Sequence, residues 1–259
     1  MASLGLVKGV LLDLDGTLYD AGDVIPGAVE AVEALRRGGV PLRFVTNTSR
    51  FSRREVGQYL DSFGISAEPE ELFTTTVGAA AWLQARDIKR VALCLPGPTE
   101  EDFTNLTIDR ENPEAVIVGD LGEEWTFEVL NRAFRWVLQG AQLVATHTNR
   151  FWRTADGPTL DAGPFVAALE YATGARATVV GKPSTEFFES AARSFGLGPA
   201  DVAMVGDDLV NDVAGIQALG GKGILLRTGK YSQSELDDSD IQPDMVLDSI
   251  ADLPGVILS

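Results

Sequence analysis

Short apolar runs, each closed by polar residues, recur along the chain at 10–12, 42–45, 91–95, 115–118, 143–145, 178–180, 202–205 and 223–226. Between them, segments 27–37, 53–63, 77–86, 127–139, 164–173, 186–195 and 212–219 space their apolar residues as amphipathic helices do. Near-continuous apolar strands alternating with such helices predict parallel sheets covered on both faces, hence an α/β fold. Pro26 and Pro164 are helix start signals, and Gly38-Gly39 and Gly196 are stops. Residues suited to chemistry follow the strands near positions 13, 46, 182 and 207, whereas roughly 78–178 has its own strand–helix alternation without such a cluster. A sheet interrupted by an inserted α/β module produces that pattern. The expected division is therefore 1–77 with 179–259 as one domain and 78–178 as the insertion.

The most informative junction is Asp13-Leu14-Asp15-Gly16-Thr17, directly behind Val10-Leu11-Leu12. Carboxylates beside a buried strand cost several kcal/mol unless a cation or donors compensate. Asp13 and Asp15 share a face, and Gly16 allows backbone N–H groups to approach an anion. Such a pair implies a hard cation, a nucleophile with an acid/base, or both. The bland alternative is an acidic turn capping the next element. At the second strand end, Thr46-Asn47-Thr48-Ser49 offers donors to a phosphoryl oxygen, or an N-cap for the following helix. At the third, Lys182 in Val180-Gly181-Lys182-Pro183 is unusual at a buried strand end. Pairing with Asp13 and a substrate phosphate would resolve its cost; otherwise it is a surface lysine at a helix start. At the fourth, Gly206-Asp207-Asp208-Leu209-Val210-Asn211-Asp212 places Asp207 at a strand end and Asp212 at a helix start. Asp207 suits a carboxylate ligand for Mg2+, Asp212 could orient a bound water or Lys182, and Asp208 is solvated or assists.

Charge changes the picture. The formal net charge of −17 argues against nucleic-acid and anionic-membrane binding, which need clustered Lys and Arg. It also opposes anionic substrates at long range, so a phosphate site would need a metal, a lysine or helix N-termini close by. One cysteine, Cys94, and one histidine, His147, exclude a disulfide framework and a Cys/His zinc site within one chain. Cys94 reads as a buried core thiol. His147, with Arg150 and Trp152 in the same segment, reads as structural or exposed more readily than as a substrate contact. No apolar run resembles a signal peptide or a membrane span, so cytoplasm is the expected location. Gly-x-Gly-x-x-Gly, P-loop and Gly-x-Ser-x-Gly motifs are missing.

Taken in order, Asp13-x-Asp15-Gly16-Thr17, Thr46-Asn47, Lys182-Pro183 and Gly206-Asp207-x-x-x-x-Asp212 resemble the four motifs of the haloacid dehalogenase superfamily. The insertion between the second and third resembles the C2 cap of the NagD-like subgroup. Gly163-Pro164-Phe165, Leu169-Glu170-Tyr171-Ala172, Val179 to Pro183 and Arg227-Thr228-Gly229-Lys230-Tyr231 are similar to a narrower branch. That branch contains phospholysine phosphohistidine inorganic pyrophosphate phosphatases and hydrolase domain-containing-2 proteins. The resemblance implies a Rossmann-like parallel-sheet core with a C2-type cap, and phosphoryl transfer through an aspartyl-phosphate. Asp13 would be nucleophile and Asp15 acid/base. Asp13, the backbone carbonyl of Asp15 and Asp207 would hold Mg2+. Thr46, Asn47, Thr48 and Lys182 would bind the phosphoryl oxygens, with Asp212 and Asp208 behind the ligands. Some branch members carry serine where this chain has Asp15. The expected activity is hydrolysis of a small phosphorylated metabolite; pyrophosphate or an N-phosphorylated amine is the alternative within the class. A weakly active regulatory or scaffold protein is the alternative outside it. The physiological substrate and a homodimeric state are left open by the sequence.

Overall fold

The computed structural model describes residues 7–154 and 157–259. In chain order its principal strands are β1 (Gly9–Leu12), β2 (Leu42–Thr46), β3 (Leu72–Thr74), β4 (Arg90–Cys94), β5 (Thr107–Ile108), β6 (Ala115–Val118), β7 (Gln142–Ala145), β8 (Thr178–Val179), β9 (Val202–Gly206), β10 (Lys222–Leu226) and β11 (Met245–Leu247). They form a six-stranded sheet ordered β11-β10-β9-β1-β2-β3 and a five-stranded sheet ordered β8-β7-β6-β4-β5. The β9–β1, β1–β2, β9–β10 and β10–β11 pairings are parallel, as are all four pairings of the second sheet. The fold class expected from the apolar runs is the one observed.

Contacts divide the chain into two compact units: 1–46, 56–73 and 182–259, and 47–55 with 74–181. In the first unit, helix α1 (Ala28–Arg37) buries Ala28, Ala31, Val32 and Leu35, an i, i+3, i+4, i+7 stripe. That stripe packs with Val10, Leu12, Phe44, Val56 and Leu60 in one apolar cluster. In the second unit, apolar clusters cover both sheet faces, one around Trp82, Leu83, Val91 and Ile117, the other around Ala92, Val116, Trp136 and Leu143. Cys94 is buried there, and burial pushes its thiol up to about 12. Among the described residues, no helix is long and apolar enough to cross a membrane.

Three local assignments differ from the sequence expectation. The strand before Lys182 is β8, which pairs with β7 and so belongs to the second sheet; it is not a neighbour of β1. Residues 47–55 group with the second unit through the donation of Thr75 Oγ1 to Thr48 O (2.9 Å), of Asp120 N to Ser49 Oγ (2.9 Å) and of Arg53 N to Asp102. Asp212 lies inside a helix, because a π-helical segment begins at Leu209 and is capped by Asp208. Among the principal strands, β3, β5 and β11 were not anticipated; they are only two or three residues long. An antiparallel hairpin that pairs Phe151–Thr154 with Gly157–Leu160 was not anticipated either.

Candidate active site

In a parallel sheet every carboxyl end faces one edge, and ligands of open α/β sheets bind there. Register Leu12↔Val205 and Leu12↔Phe44 places Asp13 level with the ends of β9 and β2. Asp13 N donates to Val205 O (2.9 Å), extending the ladder one step past β1. Asp13 and Asp207 therefore leave adjacent strand ends side by side.

Lys182, 4% exposed, reaches this edge and donates from Nζ to Asp13 Oδ1 (2.6 Å) and Asp212 Oδ1 (2.7 Å). Burial alone would lower the ammonium's pKa. The two carboxylates outweigh it and hold the group above the ordinary lysine value, so Lys182 is charged. Asp212 Oδ2 accepts from Asp208 N (3.2 Å), which locks its carboxylate toward the lysine. Asp208 itself caps the following helix: its Oδ1 accepts from Val210 N (3.2 Å) and Asn211 N (2.9 Å).

Asp207 is 1% exposed. Its Oδ2 accepts from Lys230 N (2.7 Å), while its buried Oδ1 has no hydrogen-bond partner among the described residues. Burial first, then repulsion from Asp13 and Asp212, pushes its carboxyl up to about 8. Burial likewise raises Asp212, with Asp13 adding to the effect. Asp15 is exposed as a residue, but partial burial of its carboxyl, and then the charge of Asp13, raises it as well. One carboxylate oxygen from each of Asp13, Asp207 and Asp212 lies within 4.8 Å of the others. With Asp212 committed to Lys182 and Asp208 N, the unsatisfied Asp207 Oδ1 beside the Asp13 carboxylate offers the hard oxygen donors that Mg2+ takes, so the residues present fit that ion.

The loop that carries Asp15 is held by its own backbone and by aromatic packing. Gly16 N donates to Tyr19 O (2.7 Å), and Tyr19 packs on Tyr59 and Phe63 with ring centroids 5.1 and 5.2 Å away. Thr46, buried, ends β2. Its neighbours Asn47 and Thr48 belong to the second unit by contact. They do not cap the next helix: Ser52 and Glu55 form that capping box, with Ser52 N to Glu55 Oε2 at 2.9 Å and Glu55 N to Ser52 Oγ at 3.3 Å. In the same unit His147 is buried, 3.5 Å from Asp161, and the Arg50 guanidinium lies 5.2 Å from the Trp152 ring. Arg150 is exposed, with its carbonyl accepting from Asp161 N. Thr228, Gly229 and Lys230, noted in the sequence only as part of a stretch similar to the narrower branch, were given no role at the site. Lys230 Nζ lies 3.4 Å from Asp208, and its backbone N–H holds Asp207.

With this geometry in place, known proteins narrow the reading. The haloacid dehalogenase-like hydrolase family profile matches residues 10–109, and a HAD-hydrolase-like profile matches residues 179–253. Haloacid dehalogenase-like hydrolase domain-containing protein 2 of Homo sapiens is 41% identical over 94% of this chain and 92% of its own. The chain belongs to the haloacid dehalogenase-like hydrolases. Within that family it is a hydrolase of the branch that the local motifs resemble. A phospholysine phosphohistidine inorganic pyrophosphate phosphatase of Danio rerio is 38% identical over 98% of this chain and 95% of its own. Among solved structures, a p-nitrophenyl phosphatase from Archaeoglobus fulgidus superposes with a TM-score of 0.90 at 31% identity, covering 96% of this chain and 98% of that one.

Proposed function

We propose that this hydrolase is a Mg2+-dependent phosphatase that cleaves small phosphorylated metabolites through an aspartyl-phosphate on Asp13. The observation that carries the reading is the asymmetric treatment of the acids at the strand ends. Lys182 neutralises Asp13 Oδ1 and Asp212 Oδ1, while buried Asp207 Oδ1 is left for a cation. A purely structural acidic turn has no reason to keep such an oxygen unsatisfied.

In this reading Lys182 fixes the Asp13 carboxylate through one oxygen and leaves the other to attack phosphorus, forming the acyl phosphate as the ester oxygen departs. Asp15, at the exposed rim with a raised pKa, gives its proton to that oxygen and then takes one from the water that cleaves the acyl phosphate. Asp13, Asp207 and the Asp15 backbone carbonyl would hold Mg2+, which supplies electrostatic stabilisation of the charge that builds on the phosphoryl oxygens. Thr46, Asn47, Thr48 and Lys182 bind those oxygens, and Asp212 with Asp208 keeps Lys182 and the helix start in place. The second unit takes the role of the specificity-bearing C2-type cap. Intact Asp15 favours esters of alcohols, whose poor leaving groups need a proton; the Danio rerio relative's name supports pyrophosphate and N-phosphorylated amines as the second reading.

The test is turnover of a panel of sugar phosphates, an aryl phosphate, pyrophosphate and phospholysine, with Mg2+ or with chelator, in wild type and Asp13→Asn. Mg2+-dependent release of phosphate, lost in Asp13→Asn, and a labile phosphate mapped to the Asp13 peptide are expected. Near-wild-type turnover in Asp13→Asn would refute the covalent route.

A further inference from the structure

The run Arg227-Thr228-Gly229-Lys230-Tyr231 follows β10, which pairs with the strand that ends at Asp207. None of these residues has a part in the chemistry above, yet three of them touch the loops that do. Thr228 Oγ1 donates to Gly16 O (2.5 Å), in the loop that carries Asp13 and Asp15. Lys230 N donates to Asp207 Oδ2 (2.7 Å). Between them Gly229 (φ +53°) faces Gly16 (φ +78°); a Cβ at either glycine would collide with Asp207 Oδ2, and one at Gly229 would also lie 2.6 Å from Gly16 Cα. The turn thus rests on Asp207 and on the loop backbone with no side chain between them.

We propose that the turn Thr228–Gly229–Lys230 is a positioning device that sets the separation of Asp207 from the Asp13–Thr17 loop and thereby the cation selectivity of the acid cluster. The inference rests on the reading that this cluster holds Mg2+. A carboxylate bonded through one oxygen to a backbone N–H cannot swing freely, so Asp207 Oδ1 is presented in one direction. The Thr228–Gly16 bond fixes the other wall of the site to the same turn. Mg2+ demands near-octahedral oxygens at short, uniform distances, whereas Ca2+ tolerates longer and irregular ones. Loosening the turn therefore costs Mg2+ more than Ca2+.

The experiment is calorimetric titration of the full chain with Mg2+ and separately with Ca2+, for wild type, Thr228→Val, Thr228→Ser and Gly229→Ala, with apo melting temperatures alongside. Groups that orient metal ligands typically change affinity by about 10–100-fold when removed. Thr228→Val keeps the side-chain shape and is expected to weaken Mg2+ binding by about tenfold or more, to weaken Ca2+ binding less, and to melt near wild type. Thr228→Ser restores the wild-type ratio of affinities; Gly229→Ala shows the larger loss of Mg2+ affinity. Wild-type Mg2+ affinity in both Thr228→Val and Gly229→Ala overturns the proposal, as does an equal loss for both cations. A wild type that binds no Mg2+ overturns the metal reading itself, a result distinguishable from failure of the turn. If Gly229→Ala does not fold, the Thr228 pair carries the test alone.

Discussion

Replacing Lys182 by Met isolates what the buried ammonium does. Met fills a similar volume but removes the bonds to Asp13 (2.6 Å) and Asp212 (2.7 Å), leaving two carboxylates that are 6% and 0% exposed without their cation. At these separations each attraction is about 6 kcal/mol for an effective dielectric near 20, though desolvation of all three groups offsets much of it. Removing one partner of a buried pair typically destabilises by about 3–5 kcal/mol, because the survivor is stranded. A stranded carboxylate can escape by taking a proton. At pH 8 that costs about 5.6 kcal/mol relative to an unfolded aspartate, and at pH 6 about 2.9 kcal/mol, from 1.36 kcal/mol per unit above the ordinary aspartate value.

The loss is therefore expected at about 3–5 kcal/mol at pH 8 in the absence of divalent cation. It shrinks by about 2.7 kcal/mol at pH 6 for each extra proton that the folded variant binds relative to wild type. The sign follows from the direction of the shift. A carboxyl whose folded pKa is raised binds more protons folded than unfolded, so stability rises as pH falls toward the unfolded value. Urea unfolding of the chelated chain at pH 8 and pH 6, in wild type, Lys182→Met, Asp212→Asn and the double variant, measures both numbers and the coupling. A loss under about 1 kcal/mol at pH 8, typical of an exposed pair, would refute the reasoning. So would a loss that is the same at both pH values.

Three further outcomes follow from the same coordinates. With Asp207 pushed up to about 8, its carboxyl is largely protonated at pH 7 in the cation-free chain, so Mg2+ binding should expel close to one proton; calorimetry in two buffers of different ionisation enthalpy reads this, and no proton release would contradict it. Asp15→Asn should lower kcat/KM for alkyl phosphates by about 10²–10⁴-fold while harming an aryl phosphate and pyrophosphate less; an equal loss across these leaving groups would remove Asp15 as the acid. Phe44→Ala, in the fully buried cluster under α1, should cost about 3–5 kcal/mol in urea unfolding, and a loss under 1 kcal/mol would show that this cluster does not carry the first unit's stability.

Asp13 and Asp207 were legible from the chain because both follow apolar runs too short and too continuous to be anything but buried parallel strands. A charged residue just past such a run has only the carboxyl edge of the sheet to occupy. Lys182 was legible as a buried cation, but its strand was assigned to the wrong sheet. Thr178 and Val179 are β-branched, and that property marks a strand without saying which neighbour it pairs with. The helix after Asp207 was misplaced because Asp208 and Asp212 are both sound N-cap types; only the bonds from Val210 and Asn211 show which one caps. β3 is too short for periodicity to register. The part played by Lys230 was out of reach for a different reason: its bond to Asp207 comes from the backbone N–H, which every residue but proline possesses.

The acid cluster also reconciles a net charge of −17 with a phosphate site. At physiological ionic strength exposed charges are screened beyond about 8 Å, whereas pairs inside the sheet edge are not. At the proposed phosphate site, then, the balance is set by Asp13, Asp15, Asp207, Asp208 and Asp212 against Lys182 and Lys230. Five carboxylates and two ammonium groups leave three formal negative charges, a poor host for phosphate. Burial, with repulsion among the acids, raises Asp207, Asp212 and Asp15, a direction that opposes carrying all of that charge at once. A proton on Asp207 and a divalent cation beside it are thus alternatives for the same oxygen, Oδ1. In the proposed reading phosphate affinity, cation affinity and pH are therefore linked through that atom, because a proton or a divalent cation there lowers the negative charge that a phosphate would meet.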